Sequence, residues 1–181
     1  MSVSVFRGAI DTPLGQMVAF ATESGLCGLE FLEPRRLDRF DARLARWFSA
    51  FAIADDPDFP VIETTGRWLS EYFEGAGADS REVPLDLRGT PFEQSVWQRL
   101  LDILPGSTRT YGDIARELGK PNAARAVGLA VGSNPVGIIV PCHRVIGTSG
   151  SLTGYGGGLH RKQWLLGHER RWSREGVGRL F

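Results

Sequence analysis

The most informative stretch of this chain reads Val136-Gly137-Ile138-Ile139-Val140-Pro141-Cys142-His143-Arg144-Val145-Ile146. Its first five residues are typical of a buried strand, which we expect to end at Pro141, because proline lacks an amide hydrogen and fixes its own φ. Cys142 is then held at a strand end beside a base, His143, and a cation, Arg144. Such neighbours favour the thiolate, the reactive form of cysteine. The stretch therefore predicts a nucleophilic cysteine.

The simpler interpretation of Cys142 is a buried, inert, small apolar side chain. A cysteine next to a histidine at a strand terminus favours a site instead. Because consecutive side chains on a strand point to opposite faces, His143 would act on the sulfur through a water or after a turn in the backbone. Such a base needs a third group to orient it, and a carboxylate later in the chain is the natural candidate.

The composition is that of a globular protein of 181 residues, enough for one large domain or two small ones. No apolar run approaches the ~18 residues of a membrane span, and no secretory signal is evident. The two cysteines, Cys27 and Cys142, lack zinc-type spacing. A disulfide is possible by number but is not expected without a secretory context. We expect a reduced, cytoplasmic protein with no metal, no cofactor and no membrane contact.

Charge is divided unevenly along the chain, although the formal net charge is zero. Residues 1–88 contain 9 Lys and Arg against 15 Asp and Glu, a net −6, whereas residues 89–181 contain 12 against 6, a net +6. This division predicts an acidic support domain (1–88) and a basic working domain (89–181) that meets a polyanion. Ordinary solvated surface is the alternative explanation.

The first 88 residues predict a small α+β module without an evident catalytic constellation. Strands are expected over residues 3–10, 16–22 and 26–31, with a further one over 83–87. Apolar residues at three- and four-residue steps predict helices over residues 35–51 and 62–73. A flexible surface link is expected over residues 75–80.

The second half predicts three helices before the cysteine stretch. Thr90-Pro91-Phe92-Glu93 can start a helix with a capping box, and this helix runs to about residue 103. Thr110-Tyr111-Gly112-Asp113 repeats the signal for a helix that Gly119 ends. Residues 120–122 re-cap a third helix over residues 123–132. The last two helices form a helix-turn-helix pattern, which many other helical hairpins share.

The third of these helices carries mostly small side chains and one long cation, Arg125. A thin helix can enter a narrow groove or pack closely against a partner helix. A lone arginine on such a surface favours nucleic acid, where it can contact phosphate or wedge into a base stack. Asn134 follows at a turn, and its amide can bridge this helix to the reactive loop.

A glycine-rich segment, residues 147–158, follows the cysteine stretch and surrounds Tyr155. Such a segment lets backbone approach a ligand closely, or it is merely mobile. A final helix is expected over residues 160–169, ending with His168 and Glu169.

These motifs together resemble the O6-alkylguanine-DNA alkyltransferase family over about residues 89–170. The resemblance implies an α+β protein, in which an RNase H-like α/β domain (1–88) precedes a mainly helical, winged helix-turn-helix domain (89–181). The matching motifs are Gly89 to Trp97, Tyr111-Gly112, Ala123 to Gly128, Ser133-Asn134-Pro135, Pro141 to Ile146, Thr153-Gly154-Tyr155 and Lys162 to Glu169.

The resemblance implies direct-reversal DNA repair. Cys142 would take the alkyl group from O6 of guanine, and from O4 of thymine, in one irreversible turnover after the base is flipped through the minor groove. His143 would act through a water, oriented by Glu169. Tyr111 would donate a proton toward guanine N3 and help to rotate the nucleotide. Asn134 would be the hinge between the recognition helix and the site.

The resemblance also implies the substrate contacts. Arg125 would fill the vacated base stack, and backbone carbonyls of Cys142 and Val145 would read the exocyclic amine. The other DNA contacts would be Tyr111, Ala123, Ala124 and Gly128, and the pocket would be lined by Val145, Tyr155, Gly156 and Gly157. The implied partner is double-stranded DNA containing O6-alkylguanine, met by a monomer that can bind cooperatively.

Two other functions stay open at this point. An alkyltransferase-like protein that binds damaged DNA without reacting is disfavoured, because such a protein lacks the reactive cysteine. A Cys-His-Glu hydrolase acting on small amides or esters would use the same residue types, but it would turn over many times.

Overall fold

The computed structural model describes residues 2–75 and 79–177, with side chains up to residue 172. The chain divides into two units, residues 1–89 with 135–137 and residues 90–134 with 138–181. The middle of the predicted surface link, residues 76–78, lies outside the described residues. Within the described ranges, no helix combines the length and apolarity that crossing a bilayer requires.

The first unit is built on a four-stranded mixed sheet of β1 (Val3–Ile10), β2 (Met17–Thr22), β3 (Gly25–Phe31) and β4 (Phe51–Asp55), in the order β3-β2-β1-β4. The first three strands confirm the prediction and pair antiparallel, whereas β4 runs parallel to β1. Phe20 and Cys27 pack with Phe40 and Leu44 of the first helix to form its core. The helices of this unit are α1 (Pro34–Trp47) and α2 (Pro60–Glu74).

The prediction for residues 35–51 is wrong at its end, where a strand replaces the last turn of the helix. Helix α1 ends at Trp47, Phe48 is extended, and Phe51 begins β4 opposite Val3 of β1. The Phe48 and Phe51 rings nevertheless meet, 6.4 Å apart. Apolar spacing alone does not distinguish one more helical turn from a strand that returns to the same core.

The strand predicted over residues 83–87 is reduced to a single bridge between Leu85 and Leu26. Pro84 precedes this bridge and has no amide hydrogen to continue a ladder. Its carbonyl still accepts a hydrogen bond from the Leu26 amide at 2.8 Å.

A close approach between Gly28 of β3 and Phe40 of α1 gives a test of this core. A Cβ at Gly28 would lie 2.1 Å and 2.3 Å from two Phe40 ring carbons. We expect Gly28→Ala to lower the free energy of unfolding by about 1–3 kcal/mol or more, because the packed ring must move. Urea denaturation measures the change, with Gly66→Ala on α2 as the control. Outside its chain neighbours and the helix backbone, no atom lies within 4 Å of a Cβ added at Gly66, so alanine there should stabilise the protein by about 0.5–1 kcal/mol. Equal changes in the free energy of unfolding at both positions would contradict the close packing of Gly28 against Phe40.

The second unit is mainly helical, with a two-stranded parallel ladder between β5 (Arg109–Thr110) and β6 (Val145–Ile146). The predicted capping boxes are present at Thr90 with Glu93 and at Thr110 with Asp113. Its helices are α3 (Pro91–Leu101), α4 (Tyr111–Glu117), α5 (Ala124–Gly132) and α6 (Leu159–Val177), with a 3-10 turn at Cys142–Arg144.

The start of α5 differs from the prediction, because no side chain of residues 120–122 caps it. The N-cap is Ala123, without a side-chain hydrogen bond. Its amide instead donates to the Lys120 carbonyl at 2.8 Å, so a backbone turn links α5 to the preceding helix. Gly119 ends that helix as expected, with a φ of +68°.

Candidate active site

Cys142 begins a 3-10 turn and does not lie at the end of a strand. The strand predicted over residues 136–140 is wrong: Val136 alone pairs, with Leu29, and the residues after it turn. Ile138 has a φ of +68°, a left-handed value that breaks an extended path. The side chains of Cys142 and His143 are therefore placed by a helical turn, and the alternating faces of a strand do not apply.

Asn134 connects the end of α5 to the cysteine. Its side-chain Nδ2 lies 3.1 Å from Cys142 Sγ and 2.8 Å from the Val140 carbonyl oxygen. The side chain is buried, so both amide hydrogens are directed within the protein. A hydrogen bond donated to sulfur favours its anionic form, and the same amide holds the backbone that precedes the cysteine.

His143 and Glu169 form a buried pair, with 2.7 Å between Nε2 and Oε1. Arg144 donates to the same carboxylate, from Nε at 3.0 Å to Oε2 and from a terminal nitrogen at 2.9 Å to Oε1. The Gly106 amide donates to Oε2 at 3.1 Å, and Arg144 also donates to the Ile103 carbonyl. Glu169 is thus held from three directions, and it holds the imidazole in one orientation.

The charges in this cluster determine which nitrogen of His143 is basic. Burial lowers the pKa of His143 despite the opposing effect of Glu169, so the ring is neutral near pH 7. Burial raises the pKa of Glu169, but the hydrogen bond from His143 and the hydrogen bonds and charge of Arg144 outweigh it and hold that pKa well below its usual range. An ionised carboxylate can only accept, so Nε2 carries the proton and Nδ1 the lone pair. Nδ1 is buried and makes no hydrogen bond within the described part of the chain, which leaves it able to accept a proton.

A second buried cation, Lys162, interacts electrostatically with Cys142, whereas the charge of Arg144 is paired with Glu169. Lys162 is fully buried on α6, and its Nζ donates to the carbonyl oxygens of Val145 at 2.6 Å and Thr153 at 2.9 Å. Burial lowers the pKa of Lys162, while the charge of Cys142 raises it. The ammonium group in turn favours the thiolate.

Sequence reasoning gave Lys162 no role, although a signal was present. It lies three residues before the buried Leu165 and seven before Glu169, so all three share one face of α6. A lysine on the apolar face of a helix points to a partner in the interior.

Tyr111 lies at the first position of α4, and its hydroxyl donates to the Thr153 carbonyl at 3.1 Å. Its ring lies beside Gly128 of α5, where an added Cβ would be 3.8 Å from a ring carbon. Tyr111 therefore connects the two helices of the helix-turn-helix to the glycine-rich segment.

Of the predicted pocket residues, Tyr155 and Val145 contact groups of this cluster. The Tyr155 ring meets the His143 ring edge-on at 6.5 Å, and Gly156 and Gly157 follow it in the chain. The Val145 side chain is buried, and its carbonyl accepts a hydrogen bond from Lys162.

The remaining predicted DNA contacts lie at the beginning of α5, the helix whose other end leads to Asn134. Arg125 is exposed, and Ala123 and Ala124 are half-buried at the beginning of the helix. Among the described residues, no group of three or more His, Cys, Asp or Glu side chains could hold a metal ion.

Comparison with known proteins gives two adjacent family matches. The sequence model "6-O-methylguanine DNA methyltransferase, DNA binding domain" matches residues 91–171. The model "6-O-methylguanine DNA methyltransferase, ribonuclease-like domain" matches residues 5–87. These matches confirm the predicted fold class, a ribonuclease-like domain followed by a DNA-binding domain.

Similar proteins carry consistent names. The "Methylated-DNA--protein-cysteine methyltransferase" of Mycobacterium tuberculosis is 46% identical over 161 residues, covering 89% of this chain and 90% of the relative. The protein of the same name from Shigella flexneri is 54% identical over 101 residues, 56% of this chain and 59% of the relative. The crystal structure of Mycobacterium tuberculosis OGT in complex with DNA matches with a TM-score of 0.73 and 42% identity, covering 93% of this chain and 94% of that one.

Proposed function

The chain belongs to the 6-O-methylguanine DNA methyltransferase family, and we propose that it repairs duplex DNA by one irreversible transfer of an alkyl group from O6 of guanine to Cys142. O4 of alkylated thymine is the second substrate in this proposal. The observation that carries it is the arrangement around one sulfur, which the Asn134 amide contacts at 3.1 Å beside the His143–Glu169 pair. A cytoplasmic monomer is the proposed acting unit.

Activation of the sulfur comes first. His143 Nδ1 accepts the thiol proton through a water, and Glu169 orients the ring while Arg144 keeps that carboxylate ionised. The resulting thiolate is stabilised by the Asn134 amide and by the charge of Lys162. Water is otherwise excluded from a buried cluster of this kind, which strengthens these interactions.

Transfer is then a displacement at a saturated carbon. The thiolate attacks in line with the carbon–oxygen bond; a sulfur–carbon bond forms, and the electron pair of the broken bond stays with guanine. Tyr111 donates a proton toward N3, so that guanine leaves as the neutral base. The product is a thioether, whose carbon no group in the cluster can hydrolyse. One chain therefore repairs one lesion.

Access to the base requires that it leave the duplex, at a cost of a few kcal/mol. In the proposal α5 enters the minor groove, where Ala123, Ala124 and Gly128 let backbone come close to DNA. Arg125, exposed on this helix, fills the gap in the stack. Tyr111 releases its hydrogen bond to the Thr153 carbonyl, which Lys162 still satisfies.

Mass spectrometry after incubation with an O6-methylguanine duplex tests this function. The expected result is one added methylene mass per chain, located on the peptide that contains Cys142, with repaired guanine in the DNA. Release of product beyond one equivalent, with the protein unmodified, would support the hydrolase alternative. Binding to the duplex with no mass change would indicate a damage sensor.

Replacing Arg125 with alanine should separate flipping from chemistry. We expect a loss on the order of tenfold or more in the transfer rate from duplex DNA, because the flipped state loses the side chain that fills the stack. Transfer from free O6-benzylguanine, which needs no flipping, should change less than about twofold on the same grounds.

Single-turnover rates on the two substrates measure this difference. Arg99→Ala is the matched control, because Arg99 is a half-exposed arginine of the same unit, paired with Asp102. If the Arg125 variant lost transfer rate equally on duplex DNA and on the free base, Arg125 would have no role in base flipping.

A further inference from the structure

Helix α1 carries a row of four arginines on one face, Arg36, Arg39, Arg43 and Arg46, called here the arginine stripe. At 3.6 residues per turn these side chains fall within an arc of about 80° and extend over about 15 Å. The two acidic residues of α1, Asp38 and Asp41, lie at least about 80° away by the same geometry. The stripe is thus basic along its length, within a half of the chain whose net charge is −6.

Among the described residues, the carboxylate of Glu30 forms ion pairs with the stripe. Glu30 of β3 is buried and pairs with Arg36, while Arg43 lies 3.7 Å from its other oxygen. Burial lowers the pKa of Arg43 and the charge of Glu30 opposes this effect, while the charges of Arg46, Arg36 and Arg39 lower the pKa further. In the described part of the chain, Glu30 forms ion pairs with Arg36 and Arg43 but none with Arg39 or Arg46.

Two arginines of the stripe, Arg39 and Arg46, are available to a partner. Arg39 and Arg46 are exposed and make no ion pair within the described ranges. Clustered like charges are unfavourable on a helix, and a bound anion would relieve that repulsion. A partner that carries several negative charges in a line would match the arginine stripe.

We propose that the arginine stripe binds the phosphate backbone of DNA at a position other than the lesion. This inference rests on the proposed function, in which DNA is the substrate. Successive phosphates of one strand are spaced about 3.4 Å along the duplex axis, so a row of about 15 Å faces several of them. The guanidinium group also suits phosphate, because its planar fork donates two parallel hydrogen bonds. Such contacts carry no sequence information and would increase affinity for all duplex DNA.

The test measures binding of a lesion-free duplex by fluorescence anisotropy across a salt series. The variant is Arg39→Gln with Arg46→Gln, which removes two exposed charges that have no acid partner. The control is Arg67→Gln with Arg81→Gln, which removes the same charge from exposed positions of the same unit. For the stripe variant, we expect the slope of log affinity against log salt to fall by about 2 and the affinity at low salt to fall about tenfold or more.

Glu30→Gln gives a second variant with the opposite sign. Removing this acid should raise both the affinity and the salt slope, the latter by up to about 1. An unchanged slope in the stripe variant, or equal losses in the stripe and control variants, would overturn the proposal. So would a concentration-dependent dimer, seen by sedimentation, that the stripe variant abolishes while the salt slope stays the same.

Transfer from free O6-benzylguanine distinguishes this proposal from the function on which it rests. It should be unchanged in the stripe variant, since α1 takes no part in the chemistry. If Cys142 is alkylated normally but the stripe variant binds DNA like wild type, this inference alone is rejected. A chain that never modifies Cys142 would reject the proposed function.

Discussion

Alkyl transfer should disappear when Cys142 is replaced with alanine, while binding to duplex DNA should persist. The sulfur is the acceptor of the alkyl carbon, and no other described side chain of the cluster is a comparable nucleophile. We therefore expect no mass increase and no repaired guanine, even at long incubation. DNA affinity should stay within about twofold, because the groups proposed to contact phosphate are untouched.

Cys27 offers a matched control for this result. It is buried in β3, its thiol donates to the Phe20 carbonyl at 3.4 Å, and burial raises its pKa to about 12. A thiol in that state is almost wholly protonated and unreactive near pH 7. Cys27→Ala should transfer at the wild-type rate. Repair by the Cys142→Ala protein, or modification found on Cys27, would contradict the assignment of the acceptor.

Local signals in the sequence were enough to place most helices. The two Thr-x-x-acid boxes at Thr90 and Thr110 begin helices where predicted, because a capping box satisfies backbone donors with neighbouring side chains. The error at Phe51 has a different origin, since pairing with β1 depends on residues almost fifty positions away. Long-range pairing leaves little trace in local apolar spacing.

The turn before Cys142 shows the same limit at the site itself. Val136 to Val140 have the composition of a strand, yet Ile138 adopts a left-handed φ that its own side chain disfavours. Tertiary contacts must impose such a conformation. The sequence predicted a base for Cys142 and a distant carboxylate to orient that base, and His143 pairs with Glu169. The positive charge near the sulfur was assigned to Arg144, whose guanidinium group pairs with Glu169 instead. The position of Lys162 on α6 depends on how that helix packs, which only the structure supplies.

Replacing Glu169 with glutamine should affect both stability and transfer. The buried Arg144 and His143 would lose the carboxylate that accepts their hydrogen bonds at 2.7–3.2 Å. Removing one partner of a buried ion pair costs about 3–5 kcal/mol, because the other charge is left uncompensated. The loss of orientation at His143 should reduce the transfer rate by about 10²- to 10⁴-fold.

The stability of the protein should also depend on pH, in a direction that the pKa values of Glu169 and His143 determine. The pKa of Glu169 is depressed in the folded protein, so its stabilisation is complete above the unfolded value of about 4.3 and is lost as pH falls toward the folded value. The pKa of His143 is also depressed in the folded protein. Below about pH 6.5, the ordinary pKa of histidine, the unfolded chain therefore binds this proton more readily, and stability falls as pH falls. Wild-type stability should therefore decrease steadily from pH 7 to pH 4. The difference between wild type and Glu169→Gln should be present from pH 7 down to about pH 4.3 and should shrink below about pH 4.

Urea denaturation across pH 3 to 8 measures both quantities, and Glu117→Gln is the matched control. Glu117 is a glutamate of the same unit, paired with Arg109 at 3.4 Å, but both side chains are more than 40% exposed. A surface pair of this kind is worth about 0–1 kcal/mol, so the control should unfold almost as wild type. If Glu169→Gln lowered the free energy of unfolding no more than Glu117→Gln does, the Glu169 carboxylate would not be stabilising the buried Arg144. If its transfer rate were also normal, His143 would not need orienting, and the proposed activation of Cys142 would have to be abandoned.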